Sequence, residues 1–555
     1  MPYHAFRAGF FILREADGEG ESCRAGRNAD FYDRAGSCPT TGSGVTGKAM
    51  GEERKNDTFS ILSLNGTRSE AEEIAAFYQD LNLRQIIDRL TAKWGKNVRK
   101  LYSFLPPAAE DEAYRRAVFG DVKKDEVFRA LMSYTEDLEG IEELRAEKNR
   151  VTIPVQKAVW QIRETEAYCR CYEELESRLE KCALSSSGMQ AFLEILKDIL
   201  ESGGYRELRE RTGKLMKEIR ELRFTLVYDK DRISVVPVET EGSGRYEEML
   251  RKEGGREIRQ LQNPFRSNPS LTELEYACLE ILEKKRPQLF RELRNIAERS
   301  EEYGKAVLRR FEKEVIFYLS FRSLELELEK AGLRFSTPET FEDRRMEAKG
   351  LYDLALALTA LASGKEVVPN DLYYEEGERF FVLTGPNQGG KTTFARSLGQ
   401  LVYFTRMGLD VPAESANVPF FPDIQTHFSV EESVETGRGK LKEELSRLAP
   451  MMEEHKKGSF VIINELFTTA ASYDAEIMGK KVLKHFIGLG CMGIYVTHLK
   501  ELAGEQKGVV SLRAMLNDQR IQTFKIRRGD AEDIPCAENV VNKYRLNYEQ
   551  LKERL

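Results

Sequence analysis

The stretch Thr384-Gly385-Pro386-Asn387-Gln388-Gly389-Gly390-Lys391-Thr392-Thr393 has the spacing of a loop that cradles the phosphates of a nucleoside triphosphate. Glycines at 385, 389 and 390 let backbone N–H groups turn toward an anion, and Pro386, Asn387 and Gln388 complete the loop. A helix expected from about Lys391 to Met407, with Thr393 in its first turn, aims its opening donors at the same charge. Lys391 would reach the β- and γ-phosphates of ATP, and the Thr392 hydroxyl would sit on Mg²⁺. Hydrolysis then needs an acid on the metal side and a group that polarises the attacking water. Ser459-Phe460-Val461-Ile462-Ile463-Asn464-Glu465 supplies a buried strand with Glu465 as the water-activating carboxylate. Asn464 stands where such a strand usually ends in Asp. Its amide can accept a hydrogen bond from a metal-bound water but carries no charge. A third apolar run, Gly493-Ile494-Tyr495-Val496-Thr497, ends in His498, which is placed to sense or stabilise the γ-phosphate.

These groups need a scaffold. Phe380 to Leu383 reads as the strand before the loop, and the chain from 339 to 555 alternates strands and helices, as a parallel-sheet ATPase domain does. Upstream, 57–338 is mostly helical, with apolar residues such as Ile74, Phe77, Leu81, Ile86 and Leu90 recurring mostly at steps of three and four. The fold class expected is therefore mixed, a long helical region followed by an α/β P-loop domain. Within the helical part, 223–238 changes period. Two β-branched runs around Asp229-Lys230-Asp231 predict a hairpin. Residues 239–270 then carry Arg245, Arg251, Lys252, Arg256, Arg259 and Arg266, which read either as a phosphate-contacting surface for DNA or as a solvated loop and short helix. Residues 1–56, rich in Gly, Ser and Arg, read as a disordered leader.

The chain has 555 residues, a net charge of −7 and 32% charged residues, which fits about two to four globular domains and argues against binding DNA as a bulk polycation while leaving room for a local basic groove. No run of 18 apolar residues is present, so no membrane partner is expected. The eight cysteines are scattered and read as reduced thiols of a cytoplasmic protein. A second Gly-rich turn, Gly437-Arg438-Gly439-Lys440, reads equally as an anion site for a partner subunit's nucleotide or as a helix-capping loop.

The order of these motifs resembles the MutS family of mismatch-repair ATPases. The likeness is carried by Thr384–Thr393, Val411-Pro412-Ala413-Glu414-Ser415-Ala416, Asn464-Glu465, Ser472-Tyr473-Asp474 and Thr497-His498-Leu499-Lys500-Glu501-Leu502. Phe524-Lys525-Ile526 and Val541-Asn542-Lys543-Tyr544 fit less specifically. The resemblance implies an ABC-type ATPase that dimerises around nucleotide and holds DNA between lever helices and clamps, within 57–338. It puts Asn370 near the adenine, Gly437 to Lys440 against the partner's nucleotide, and His498 near the γ-phosphate. The departures are Asn464, Gly439-Lys440 in place of Ser-Thr, and Phe467-Thr468-Thr469-Ala470 after the acid. No Phe-x-Glu mismatch wedge is evident, because Phe192-Leu193-Glu194 has the spelling but sits in an apolar helical stretch. The expectation is a shortened member, without an appended nuclease, that engages DNA shape or junctions. The rival readings are an ATP-gated scaffold with little turnover and an SMC-like or Rad50-like ATPase. The latter is disfavoured because its long coiled coil would separate the P-loop from the acidic strand.

Overall fold

A computed structural model describes residues 59–64, 76–221, 224–229, 232–237, 273–300, 306–340, 345–429, 440–453, 456–504, 506–530 and 552. The leader, Arg245 to Arg266 and Gly437 to Gly439 lie outside the described residues. The chain forms two compact units. One comprises Met1–Asp57, Arg129–Ala183 and Ala191–Arg309, the other Thr58–Phe128, Leu184–Gln190 and Arg310–Leu555.

The first unit is built on helices. Pro154–Glu180 begins with Pro154, where the missing N–H costs nothing. It packs with Gly203–Glu221 and Pro287–Ser300 around Val159, Ile162, Leu215, Met216, Ile219, Leu293 and Ile296. Between two helices of this unit Lys148 donates to Glu164 at 2.6 Å and to Gln161 at 2.5 Å, so its buried ammonium is compensated. The hairpin expected from the change of period is present as antiparallel strands β1 (Phe224–Asp229) and β2 (Arg232–Pro237). Phe192, the spelling match for a wedge, is fully buried.

The second unit holds the α/β part. Strands β3 (Glu347–Leu351), β4 (Asn370–Tyr373) and β6 (Ser415–Asn417) form a small antiparallel sheet. This is where the Val411–Ala416 stretch goes. Val411 bridges Ser336, Glu414 N–H donates to Lys349 at 2.9 Å, and Ser415 and Ala416 pair with β3. The larger sheet contains β5 (Phe380–Thr384), β7 (Ile424–Phe428), β8 (Phe460–Asn464), β9 (Met492–Val496), β10 (Val509–Leu516) and β11 (Gln522–Arg528). Its order is β11-β10-β5-β9-β8-β7. All neighbours are parallel except β10 and β11, which makes the sheet mixed.

Strands β5, β7, β8 and β9 are buried at every position; β5, β8 and β9 are largely apolar runs covered on both faces, while β7 buries Gln425, Thr426 and His427 as well. The helix Ser472–Gly488 gives Val482, Leu483 and Phe486 to a core that includes Phe380, Val461, Ile463 and Tyr495. The helix Lys391–Arg406 is buried through Ala395, Leu398, Leu401, Val402, Tyr403 and Phe404. Ser397, Gln400, Thr405 and Arg406 are buried with them, so this is a core helix, and it carries the phosphate loop at its N-terminus.

Among the buried groups of this unit, the Glu325 carboxyl is pushed up to about 8, chiefly by desolvation and then by the nearby Asp410, against the hydrogen bond from Arg322. The folded form thus holds a proton that the unfolded chain releases near 4.5. Stability from this group falls as pH rises through that window and is flat above it. Denaturant melts at pH 6 and pH 9 should show lower stability at pH 9, and Glu325→Gln should lessen the difference.

No described helix is long and apolar enough to cross a membrane.

Candidate nucleotide site

The loop after β5 needs its glycines for two separate reasons. Gly385 has φ 134° and lies against β10, where a Cβ would stand 2.9 Å from the Ala514 methyl. Gly390, with φ 87°, is the N-cap of the following helix. Gln388, at φ 61°, is a non-glycine in the left-handed region, a strain that phosphate-binding turns tolerate when the surroundings fix them. Lys391 is buried, and its Nζ donates to the carbonyls of Gly385 and Pro386, both at 3.0 Å. The ammonium thus spans the concave side of the loop.

Parallel pairing places the chemistry of β8 and β9 side by side. Asn464 is the register partner of Val496, so the residues that follow each strand emerge together. The Thr392 hydroxyl donates to the Asn464 side-chain carbonyl at 3.1 Å. The Glu465 N–H donates to Val496 O at 2.9 Å while its backbone turns left-handed, φ 54°. That turn throws the carboxylate toward His498, whose Nε2–H donates to Glu465 Oε1 at 3.1 Å. Phe467 is left-handed too, φ 64°, and its N–H donates to Glu444 Oε2 at 3.2 Å. The two strained residues are therefore each tied by a backbone bond, and the acid is held in a fixed direction. The residues brought together are Gly385, Pro386, Lys391, Thr392, Asn464, Glu465 and His498.

Asn370 is placed differently from a simple ligand. Its side-chain amide donates to Phe524 O at 3.0 Å and its carbonyl accepts from Ile526 N–H at 2.8 Å, so it clamps β11. Phe524 stands 48% exposed at φ 58°, with its ring 3.4 Å from where a Cβ on Gly390 would be. This aromatic face beside the phosphate loop was not legible as a site residue. In the chain it is one Phe among polar neighbours, more than a hundred residues after the loop, and only sheet pairing brings it back.

Thr392 and Asn464 line a cleft of about 450 Å³ together with Gln79, Asp80, Asn82, Arg396, Phe428 and Ser429. Burial raises the Asp80 carboxyl above its usual value, against the hydrogen bond from Thr426 and the charges of Arg447 and Arg396.

The donor set fits a triphosphate with Mg²⁺. The loop leaves little room for a side chain at Gly385 and Gly389 and holds Gly390 at positive φ, a buried lysine faces it, and a hydroxyl–amide pair of oxygen ligands sits at its rim. Thr392 and Asn464 would hold the cation. Among the described residues no cluster of three or more His, Cys, Asp or Glu suits a resident metal.

Comparison with known proteins gives the same reading of this region. Residues 381–532 match the family pattern described as MutS domain V. Relatives called DNA mismatch repair protein MutS are similar over part of the chain. That of Fervidobacterium nodosum is 29% identical over 154 residues, covering 28% of this chain and 19% of that protein. That of Thermotoga neapolitana is 28% identical over 244 residues, 42% of this chain and 28% of the relative. That of Lactococcus lactis subsp. cremoris is 29% identical over 242 residues, 43% and 28%. The chain thus spans well under a third of the length of these relatives. The phosphate loop and the acid–histidine pair at adjoining strand ends both fall within this matched segment, which is similar to MutS domain V.

Proposed function

We propose that this protein is an ABC-type ATPase of the MutS kind, a homodimer that engages duplex or branched DNA and uses ATP binding and hydrolysis to control that engagement. The observation that carries the reading is the Glu465–His498 contact at 3.1 Å beside the Thr392–Asn464 pair. It supports a water held by a fixed carboxylate next to a metal-side hydroxyl. Mg²⁺, when bound, would screen the phosphate charge and draw electron density from the bond that breaks. Lys391 would move its hydrogen bonds from the loop carbonyls to phosphate oxygens. Glu465 would accept a proton from the attacking water, and His498 would hold that carboxylate in line. Phe524 offers a face for the base to stack on, with Asn370 fixing it from behind. Gly437 to Lys440 are assigned to the partner's nucleotide, and Arg245, Arg251, Lys252, Arg256, Arg259 and Arg266 to DNA phosphates.

Asn464 favours a second reading, a scaffold gated by ATP with little turnover, because a neutral amide holds the cation less firmly than Asp.

The test is fluorescence anisotropy of the whole chain on perfect duplex, a single mismatch, a four-way junction and single strand, each with and without ATP, beside steady-state phosphate release. A structural preference that ATP weakens, with turnover, supports the clamp. Nucleotide binding with no DNA binding and no turnover supports the scaffold. For the base pocket, Phe524→Ala is expected to weaken ATP binding roughly tenfold, within the range of one lost base–aromatic stack, while inorganic triphosphate binding stays unchanged in calorimetry.

A further inference from the structure

We infer that Asp80, contributed by the segment near the start of the second unit, is the carboxylate on the cation side of the nucleotide site and fills the role for which Asn464 lacks the charge. The inference rests on the nucleotide reading above.

The segment is seated on the phosphate-loop helix by contacts to its backbone. Arg396 Nε donates to Asp80 O at 2.9 Å, and Gln400 Nε2, one turn on, donates to Leu81 O at 3.0 Å. Gly399 lies between them, where a Cβ would be 2.4 Å from Leu81 Cδ2, so the glycine admits the Leu81 side chain against the helix. Asn82 then turns left-handed at φ 55°. The short helix Phe77–Asp80 therefore ends at a fixed point beside Thr392 and Asn464, and Asp80 lines the same cleft as those two residues.

The carboxylate is only half used there. Its Oδ2 accepts from the Thr426 hydroxyl at 2.6 Å and lies 3.9 Å from Arg447. Oδ1 accepts no hydrogen bond among the described residues. Thr426 stands on β7, next to β8, two positions before Phe428, the register partner of Asn464. One oxygen is thus anchored on the sheet and the other is left for the cleft. A volume of about 450 Å³ holds several waters. Mg²⁺ usually keeps several of its own waters and is bound through one or two carboxylates, so an acid reaching the cation's hydration shell suits a cleft shared by Asp80, Thr392 and Asn464. Arg396 and Arg447 flank the carboxylate, so a purely structural tie is the reading to be beaten.

The whole chain is titrated with a fluorescent ATP analogue in EDTA, and the bound complex is then titrated with Mg²⁺. Manganese spin resonance of the nucleotide complex is recorded in parallel. Asp80→Asn keeps an acceptor for Thr426. It is expected to leave metal-free nucleotide affinity within about twofold and the thermal midpoint unchanged, while the Mg²⁺ midpoint rises tenfold or more and the manganese signal loses intensity at fixed cation. Adding Asn464→Asp to Asp80→Asn should bring the midpoint most of the way back. An unchanged Mg²⁺ midpoint in Asp80→Asn, or an equal loss with and without cation, overturns the inference and leaves the nucleotide reading intact. Failure of the unaltered chain to bind the analogue under either condition overturns both.

Discussion

Replacing Glu465 with Gln is expected to lower the rate of ATP hydrolysis by at least about 100-fold, the contribution usual for a positioned general base, while ATP affinity changes by no more than a few-fold. Glutamine matches the shape of the acid. The anchor that fixes the turn, Glu465 N–H on Val496 O at 2.9 Å, is backbone and survives the change. The His498 contact at 3.1 Å can persist on the amide oxygen. What is lost is the capacity to take a proton and the negative charge beside the attacking water. Because the left-handed turn directs this side chain, a second carboxylate cannot readily swing in to replace it. His498→Ala should cost less, about tenfold, since it removes the group that orients the acid and leaves the acid itself. Single-turnover phosphate release with saturating ATP separates the chemical step from binding. Equal rates for the unaltered protein and Glu465→Gln would remove Glu465 from the chemistry and leave the scaffold reading standing.

Gly493→Ala is expected to destabilise the second unit by about 3 kcal/mol or more, the upper end of overpacking costs, and to abolish nucleotide binding with it. A Cβ at Gly493 would stand 1.8 Å from Val461 O, far inside any contact distance. The clash is with backbone on the neighbouring strand, so no rotamer relieves it. The remaining escape is to separate β8 from β9, which breaks the pairing of Val461 with Gly493 and of Asn464 with Val496. The Tyr374 hydroxyl, which donates to Gly493 O at 2.8 Å, would be left without its acceptor in the interior. Urea unfolding followed by tryptophan-independent circular dichroism, together with limited proteolysis, measures the loss. A variant as stable as the unaltered protein would show that the strands separate at little cost, and the tight register would then not position Glu465 and His498.

Legibility from sequence followed the range of the interactions. The phosphate loop, the order of its strands and helix, Glu465 and His498 could be read directly, because each is a short segment whose local physics shows in neighbouring residues. An apolar run ending in a polar group is a buried strand with its chemistry at the carboxyl end, and Gly-x-x-x-x-Gly-Lys-Thr is a turn into a helix. The hairpin at β1 and β2 was legible for the same reason. The contacts of Asn370, Phe524 and Asp80 were not. Asn370 carries motif spelling but spends both ends of its amide on β11, 154 and 156 residues away in the chain. Phe524 gains its place only through antiparallel pairing at the sheet edge.

Asp80 is the clearest case. Its carboxylate meets Thr426 across a separation of 346 residues, and its backbone meets Arg396 across 316. No periodicity or spacing records such contacts, because they arise from the packing of a helical segment on a buried helix with a glycine at the crossing. The sequence by itself determined the spacing of the phosphate-loop glycines and the polar groups at the strand ends, since those depend on side-chain chemistry and local turns. The tertiary structure alone decided which further groups stand beside them, since long-range packing brings together segments whose separation along the chain carries no trace of it.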